Sequence, residues 1–314
     1  MKYCRLEKES VMLNRPMASV IEWVTRTDYL IKAVAISSIA VPAFFATVTL
    51  FSTVTMLSMG AQAQDLTGKD IAELVDQADS GWQDEEARAL MTLYAADGRS
   101  VSRRLRSRSL EVSNDGNRNL VIFDQPLDVK GTVFLTHTHD AGNDDQWLFL
   151  PAIKRIKRIS SSNRSGPFMG SEFAYEDISS EEVSRYRYDG LHSGLCSGEQ
   201  ITEGQAKDSS AGLQCYIYNR YPVDKSSGYT RQIMYVDKEH YRIMRVDYFD
   251  RKNSLQKTLK REQYLQVGKF WRAKHWVMQN HLNNKKTIVE WGDWKFTSGF
   301  GKRDFEKSAL DSYR

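Results

Sequence analysis

No G-x-S-x-G pentad, glycine-rich phosphate cradle or dinucleotide-binding fingerprint occurs in these 314 residues. The first absence removes the nucleophile elbow of a serine hydrolase, and the others remove the common ways of holding a nucleotide phosphate. Charge of one sign is also in short supply. Lys and Arg number 44 against 40 Asp and Glu, a formal net charge of +4, which argues against a strongly polyanionic partner and serves solubility. Cysteine is scarce as well, with three residues in all. Cys4 falls in a leader segment, and Cys196 and Cys215 remain. They lack the C-x-x-C spacing of a redox pair and are expected to form one disulfide, closing a loop of about twenty residues and worth about 3 kcal/mol. The enclosed "SGEQITEGQAKDSSAGLQ" is polar, so the bond reads as a staple across a loose connection.

The leader is what is present in place of an ordinary N-terminal element. Arg15, Arg26 and Lys32 precede an uncharged run from Ala33 to Met59, and "GAQAQ" follows with Ala61 and Ala63 at the small-residue positions of a cleavage site. Cleavage is expected after Ala63, which makes residues 1–63 a signal peptide and 64–314 the working domain. The run is long enough to span a bilayer, so a retained N-terminal membrane segment is the alternative, and Met17 is a second candidate start. Either way the body of the protein is expected outside the cytoplasm, in the periplasm.

"LTGKDIAELVDQAD" predicts one helix. Thr67 and Asp70 form a capping box, and Ile71, Leu74, Val75 and Ala78 recur on one face. From Val101 onward the chain reads as strands and hairpin turns, from "SVSRRLRSRSLEV" to "TIVEWGDWKF", with "KRIKRI" a strand by its shortness. "YRIMRVDYFD" is partly apolar on both faces, so both sides of the sheet carry packing. The fold class is α+β, mainly antiparallel β: an unclosed half-barrel of about ten or eleven strands. The first helix, "EEARALMTLY" and "RDFEKSALDS" are the pieces available to fill its curl. Such a shape suits a long apolar ligand.

Three constellations compete for function. In "THTHDAG", His137 and His139 at i and i+2 could share a metal, as in binuclear zinc hydrolases, but Asp140 comes one residue early and no His follows. Strand-end polar residues are the preferred reading, with no metal, no cofactor and no enzymatic activity expected; a metal-dependent envelope hydrolase is an alternative. Arg104, Arg106 and Arg108 share a strand face. Export argues against nucleic acid, so Arg104 and Arg106, with Arg155 and Arg158, are candidates for contact with anionic headgroups or an acidic partner. The aromatic load is the strongest signal. Trp147, Phe149, Phe168, Phe173, Trp271, Trp276, Trp291 and Trp294 exceed the needs of one compact core, and some are expected to line an apolar cavity.

The run "DQWLFLPAIKRIKRISSSNRSGPFMGSEFAYEDIS", Asp145 to Ser179, resembles the central segment of exported outer-membrane lipoprotein-sorting proteins of the LolA/LolB-like superfamily. The "WLFLP" strand, the basic strand after it and "FMGSEFAYED" stand in order, and the flanking helix and meander extend the resemblance over residues 64–314. It implies a half-barrel with a hydrophobic cavity for lipid or lipoprotein acyl chains, working with an RND-type inner-membrane exporter of the MMPL class. A non-transporting envelope scaffold is a further alternative. Within the run, Gly166, Pro167 and Gly170 break regular structure while Phe168, Met169, Phe173 and Tyr175 are apolar. These four, with Trp147 and Phe149, are the candidate lipid-binding or lid residues, and a fixed plug completing the core is the alternative for the segment.

Overall fold

The computed structural model describes residues 65–113, 115–180, 182–198 and 212–313. The leader and its cleavage site at Ala63 lie outside the described residues, as does most of the connection between the two cysteines. Helix α1 (Gly68–Ala78) starts as its sequence dictates: Thr67 Oγ1 accepts from the Asp70 amide at 3.3 Å, and Asp70 Oδ2 accepts from the Thr67 amide at 2.7 Å. Its Ile71 and Ala72 are buried. Gly68 permits the helix to close on the sheet, since a Cβ there would lie 3.0 Å from that of Tyr218.

The first half of the chain forms β1 (Asp84–Tyr94), β2 (Ser100–Leu110), β3 (Arg118–Gln125), β4 (Val133–His137), β5 (Asp145–Leu150) and β6 (Arg155–Ile159). The second forms β7 (Tyr186–Leu195), β8 (Gln214–Pro222), β9 (Arg231–Asp237), β10 (Ile243–Phe249), β11 (Leu255–Val267), β12 (Phe270–Asn280) and β13 (Lys286–Phe296). All thirteen join one antiparallel sheet in the order β6-β5-β4-β3-β2-β1-β13-β12-β11-β10-β9-β8-β7. The sheet is unclosed, with β6 and β7 at its two edges. These strands are consecutive in sequence, so the chain after β6 links the two edges and packs on one face of the sheet on the way.

The expected antiparallel β architecture with few helices is therefore present, with thirteen strands where ten or eleven were expected. One extra strand is β1, which contains the "EEARALMTLY" segment read as filling. Its Ala, Leu and Met residues are good helix formers, but it is paired on both sides, with β2 and with β13, and tertiary pairing overrides that weak preference. The other is β7, whose Gly190 and Gly194 disguise an edge strand. The C-terminal "RDFEKSALDS" forms short 3-10 turns on the face opposite α1, where Phe305 and Leu310 pack against Leu120, Ile122, Leu135 and Phe149.

We call inner the face that carries α1 and residues 160–185. A single apolar cluster there takes Met91, Leu105, Phe123, Phe134, Met234, Val246, Met278 and Val289 from strands spread across the sheet. The outer face carries two smaller clusters. One lies under the C-terminal turns, and the other surrounds the Cys196–Cys215 disulfide with Ile217, Tyr235 and Met244. An irregularity between Ile243 and Arg245 explains the two-sided look of "YRIMRVDYFD": Ile243 packs inward with Val246, while Met244 faces the disulfide cluster.

Candidate functional site

The segment that crosses the inner face is built around a tight loop. Phe168 N–H donates to Phe173 O at 2.7 Å, Tyr175 N–H to Gly166 O at 3.1 Å, and Ser171 Oγ to Phe168 O at 2.7 Å. Gly170 takes φ +76, a left-handed conformation suited to glycine, and Met169 shares that region at φ 50. The loop drives Phe168 and Phe173 into the inner cluster, where they are 1 % and 2 % exposed. The Phe168 ring sits 5.1 Å from that of Phe134 and 5.5 Å from that of Tyr175, and Phe173 lies 6.5 Å from Trp276.

Polar anchors tie the segment to strands along its path. At its start, Arg164 pairs with Asp144 at 3.1 Å and with Asp224, and at its end Arg185 pairs with the same Asp144. In the middle, Arg103 of β2 donates to Met169 O, and Gln146 of β5 donates to Tyr175 O at 3.0 Å. Glu172 N–H donates to Thr287 of β13 at 3.0 Å, and its carboxylate accepts from Asn280 of β12 at 2.6 Å. Asp177 accepts from Lys257 of β11 at 2.7 Å and from Tyr229 at 2.8 Å. Burial is the main cause that pushes up the Glu176 carboxyl and the Tyr229 hydroxyl, helped by the Asp177 charge. Glu182 is pushed up to about 7, by burial first and then by Asp140 and Asp76.

Of the six candidate lipid-contacting residues, the fold brings four together. Phe168, Met169, Phe173 and Tyr175 share the inner face, whereas Trp147 and Phe149 belong to the outer cluster, because β5 turns Gln146 and Leu148 inward. The arginines do not form one stripe. Arg104 is exposed and lines an outer groove of about 490 Å³ with Leu90, Asp124, Leu127 and Lys130. Arg106 is engaged by Asp124 at 3.0 Å, and Arg158 by Asp145. Arg155 is exposed on edge strand β6, paired with Leu150 and so inclined to the other face from Arg158.

His137 and His139 do not face a common point: β4 ends at His137, whose Nε2 lies 2.7 Å from Phe305 O. His139 instead sits 3.1 Å from Asp115.

The anchoring residues Arg103, Lys257, Asp144 and Asp177 were not singled out in the sequence. A signal did exist for two of them. Arg103 and Lys257 share strand parity with Leu105 and Leu259, and a charge on the apolar face of a strand needs a buried partner.

Chemically, the site is an apolar surface crossed by a strap whose Arg164, Asp177 and Arg185 are already paired. It offers burial, with no grouping of His, Cys, Asp and Glu among the described residues suited to a metal ion.

Among solved structures, a domain from Vibrio parahaemolyticus assigned to outer membrane lipoprotein sorting is 45% identical at a TM-score of 0.71. The match covers 78% of this chain and 98% of that one. A DUF1329 family protein from Desulfovibrio piger is 29% identical over 77% of this chain and 97% of that one, at a TM-score of 0.69. A LolA superfamily protein from Nitrosomonas europaea, 18% identical over 77% of this chain and 99% of that one, shares the fold at a TM-score of 0.59. A family model described as "Uncharacterized protein" matches residues 115–312. No curated protein matches the chain.

Proposed function

The chain belongs to the family of outer-membrane lipoprotein-sorting proteins with a LolA-like fold, and from that premise we propose that it is a periplasmic carrier that holds acyl chains against its inner face. The observation that carries this reading is the strap. Phe168, Met169, Phe173 and Tyr175 cover an apolar face without being paired as a strand of the sheet. An acyl chain that entered beneath the strap would replace those side chains like for like.

The magnitudes favour such an exchange. Exposing two Phe side chains costs about 3–6 kcal/mol, and each methylene removed from water contributes about 0.8 kcal/mol. About four to seven methylenes offset the displaced rings, so a longer chain has binding energy to spare. Release follows when the strap returns to its seat, and the aromatic residues then compete directly with the cargo. A lipid or lipoprotein supplied by an RND-type exporter of the MMPL class is the proposed source, and Arg104 and Arg155 are the proposed contacts to headgroups or partner. Carriage of this kind needs no bond making.

The test is uptake of a fluorescent fatty acid by the purified full chain, competed by unlabelled lipid. Saturable uptake supports the carrier, and its complete absence sinks it. The depth of Phe168 and the ion pairs at both ends of the strap favour one other reading, a fixed plug in a non-transporting scaffold. Crosslinking that recovered protein partners, together with absent lipid uptake, would select it.

A further inference from the structure

The hairpin connections of this sheet alternate between its two ends, and the ends differ in character. The register places Tyr94 beside Ser100 and Lys286, Arg104 beside Gln125, Leu150 beside Arg155, Asn280 beside Lys257, Phe249 beside Leu255, and Pro222 beside Tyr186. Six turns therefore share one set of strand ends, β1–β2, β3–β4, β5–β6, β8–β9, β10–β11 and β12–β13, and all but β8–β9, which Arg164 ties to the β4–β5 connection, make up one rim.

Exposed apolar side chains concentrate there. Leu127 in the β3–β4 turn is 87% exposed, Leu282 in the β12–β13 turn 60% and Ile153 in the β5–β6 turn 59%. Val101, Ile156 and Leu255 occupy the same rim, so six of the eight exposed large hydrophobic residues among the described residues lie there. Singly exposed apolar residues need no explanation, but this many on one edge of a molecule do.

Basic residues accompany them turn by turn. Lys130 follows Leu127, Lys154 and Arg155 follow Ile153, Lys285 stands near Leu282, and Arg251 and Lys252 precede Leu255. Of the acidic residues of the rim, Asp97 pairs with Arg99, and Asp250 accepts from the Lys252 and Ser254 amides of its own turn. Asp128 stays beside Leu127 as the exception. At the other strand ends, the β2–β3 and β4–β5 connections carry Glu111, Asp115, Asp140 and Asp144, and the β4–β5 connection meets the β8–β9 turn where Arg164 bridges Asp144 and Asp224.

We propose that the Leu127–Ile153–Leu282 rim docks on a bilayer containing anionic phospholipid, its apolar tips entering the headgroup zone and its Lys and Arg side chains meeting lipid phosphates. Charge complementarity selects this occupant. Each basic residue brought to an anionic surface strengthens binding about fivefold, and the interspersed apolar tips suit an interface that is apolar a few ångströms below its charges. The rim is separate from the inner face, and the inference stands whether or not that face carries acyl chains.

The test is hydrogen exchange of the full chain with protein-free phosphatidylglycerol vesicles, phosphatidylcholine vesicles, and none. Because the readout is local, binding through the N-terminal segment does not mask it. At least fivefold slower exchange is expected in the turns at 126–131, 151–154 and 281–285 on phosphatidylglycerol, with little change at 111–117 and 238–242. The L127D/L282D double variant is expected to lose that protection at an unchanged melting temperature, since both side chains are exposed. Unprotected rim turns, equal protection of both ends, or full protection on phosphatidylcholine overturns the proposal. Protection that needs membrane proteins in the vesicle also overturns it, and assigns the rim to a protein partner. Loss of fatty-acid uptake with rim protection intact would count against the carrier alone.

Discussion

Lys257 Nζ lies 2.7 Å from Asp177 Oδ2, with the two side chains 5% and 3% exposed, and this pair pins the crossing strap to β11. Removing one partner of such a pair strands the other charge out of water. Lys257→Met is therefore expected to destabilise the protein by about 3–5 kcal/mol. The D177N/K257M double variant should recover part of that loss, because no bare charge remains. Urea denaturation of both variants checks this. A neutral Lys257→Met would remove the pair from the account of how the strap is held.

Glu182 gives a pH dependence of defined sign. Its folded carboxyl is pushed up to about 7 from an ordinary 4.5 by burial and by Asp140 and Asp76. The folded state therefore holds a proton that the unfolded state has released between those values. This contribution to stability is full below the unfolded pKa and is lost as pH rises through 7. Glu182→Gln should melt higher than the wild type at pH values above that point and show no such gain once the wild-type carboxyl is protonated. A melting difference that does not change with pH would contradict the assignment.

Cys196 and Cys215 close the β7–β8 connection on the outer face, with a sequence separation of 19. Replacing both by serine is expected to cost about 3 kcal/mol through the freed loop. Fatty-acid uptake should remain, since the inner face is untouched. Calorimetry and uptake on the same double variant measure both effects.

Phe168→Ser and Met169→Ser remove strap side chains from the inner face. Truncating a buried Phe costs about 3–5 kcal/mol, so a fall in melting temperature of about 6–20 °C is expected for the first variant. Because these side chains compete with the cargo for the inner face, both variants are expected to retain more lipid during purification, measured as lipid per protein. Retention equal to the wild type would leave the plug reading in place.

Much of the fold is legible in the sequence because strand periodicity and turn chemistry are local. The Thr67–Asp70 cap, the short basic strand at Arg155–Ile159 and the disulfide all follow from neighbours in the chain. β1 is not legible, because its helix-forming residues become a strand only through partners at Ser100–Leu110 and Lys286–Phe296. The segment 163–177 stands out in the sequence as apolar and broken by glycine. That it packs on the inner face between the two edge strands, with Arg164 and Arg185 on the one Asp144, is a property of the whole topology. The same limit explains Trp147 and Phe149. Their composition suits a cavity, yet strand parity turns them to the outer face, and the inward position of β5 goes to Gln146, which holds the strap.

The central claim is that the inner face carries acyl chains beneath the strap. Native mass spectrometry of the full-length protein purified from membranes, with organic extraction of the same sample, tests it most directly. The account predicts one or more bound acyl-chain lipids, enriched in Phe168→Ser and Met169→Ser. Wild-type protein that carries no lipid and gains none when lipid is added would contradict it.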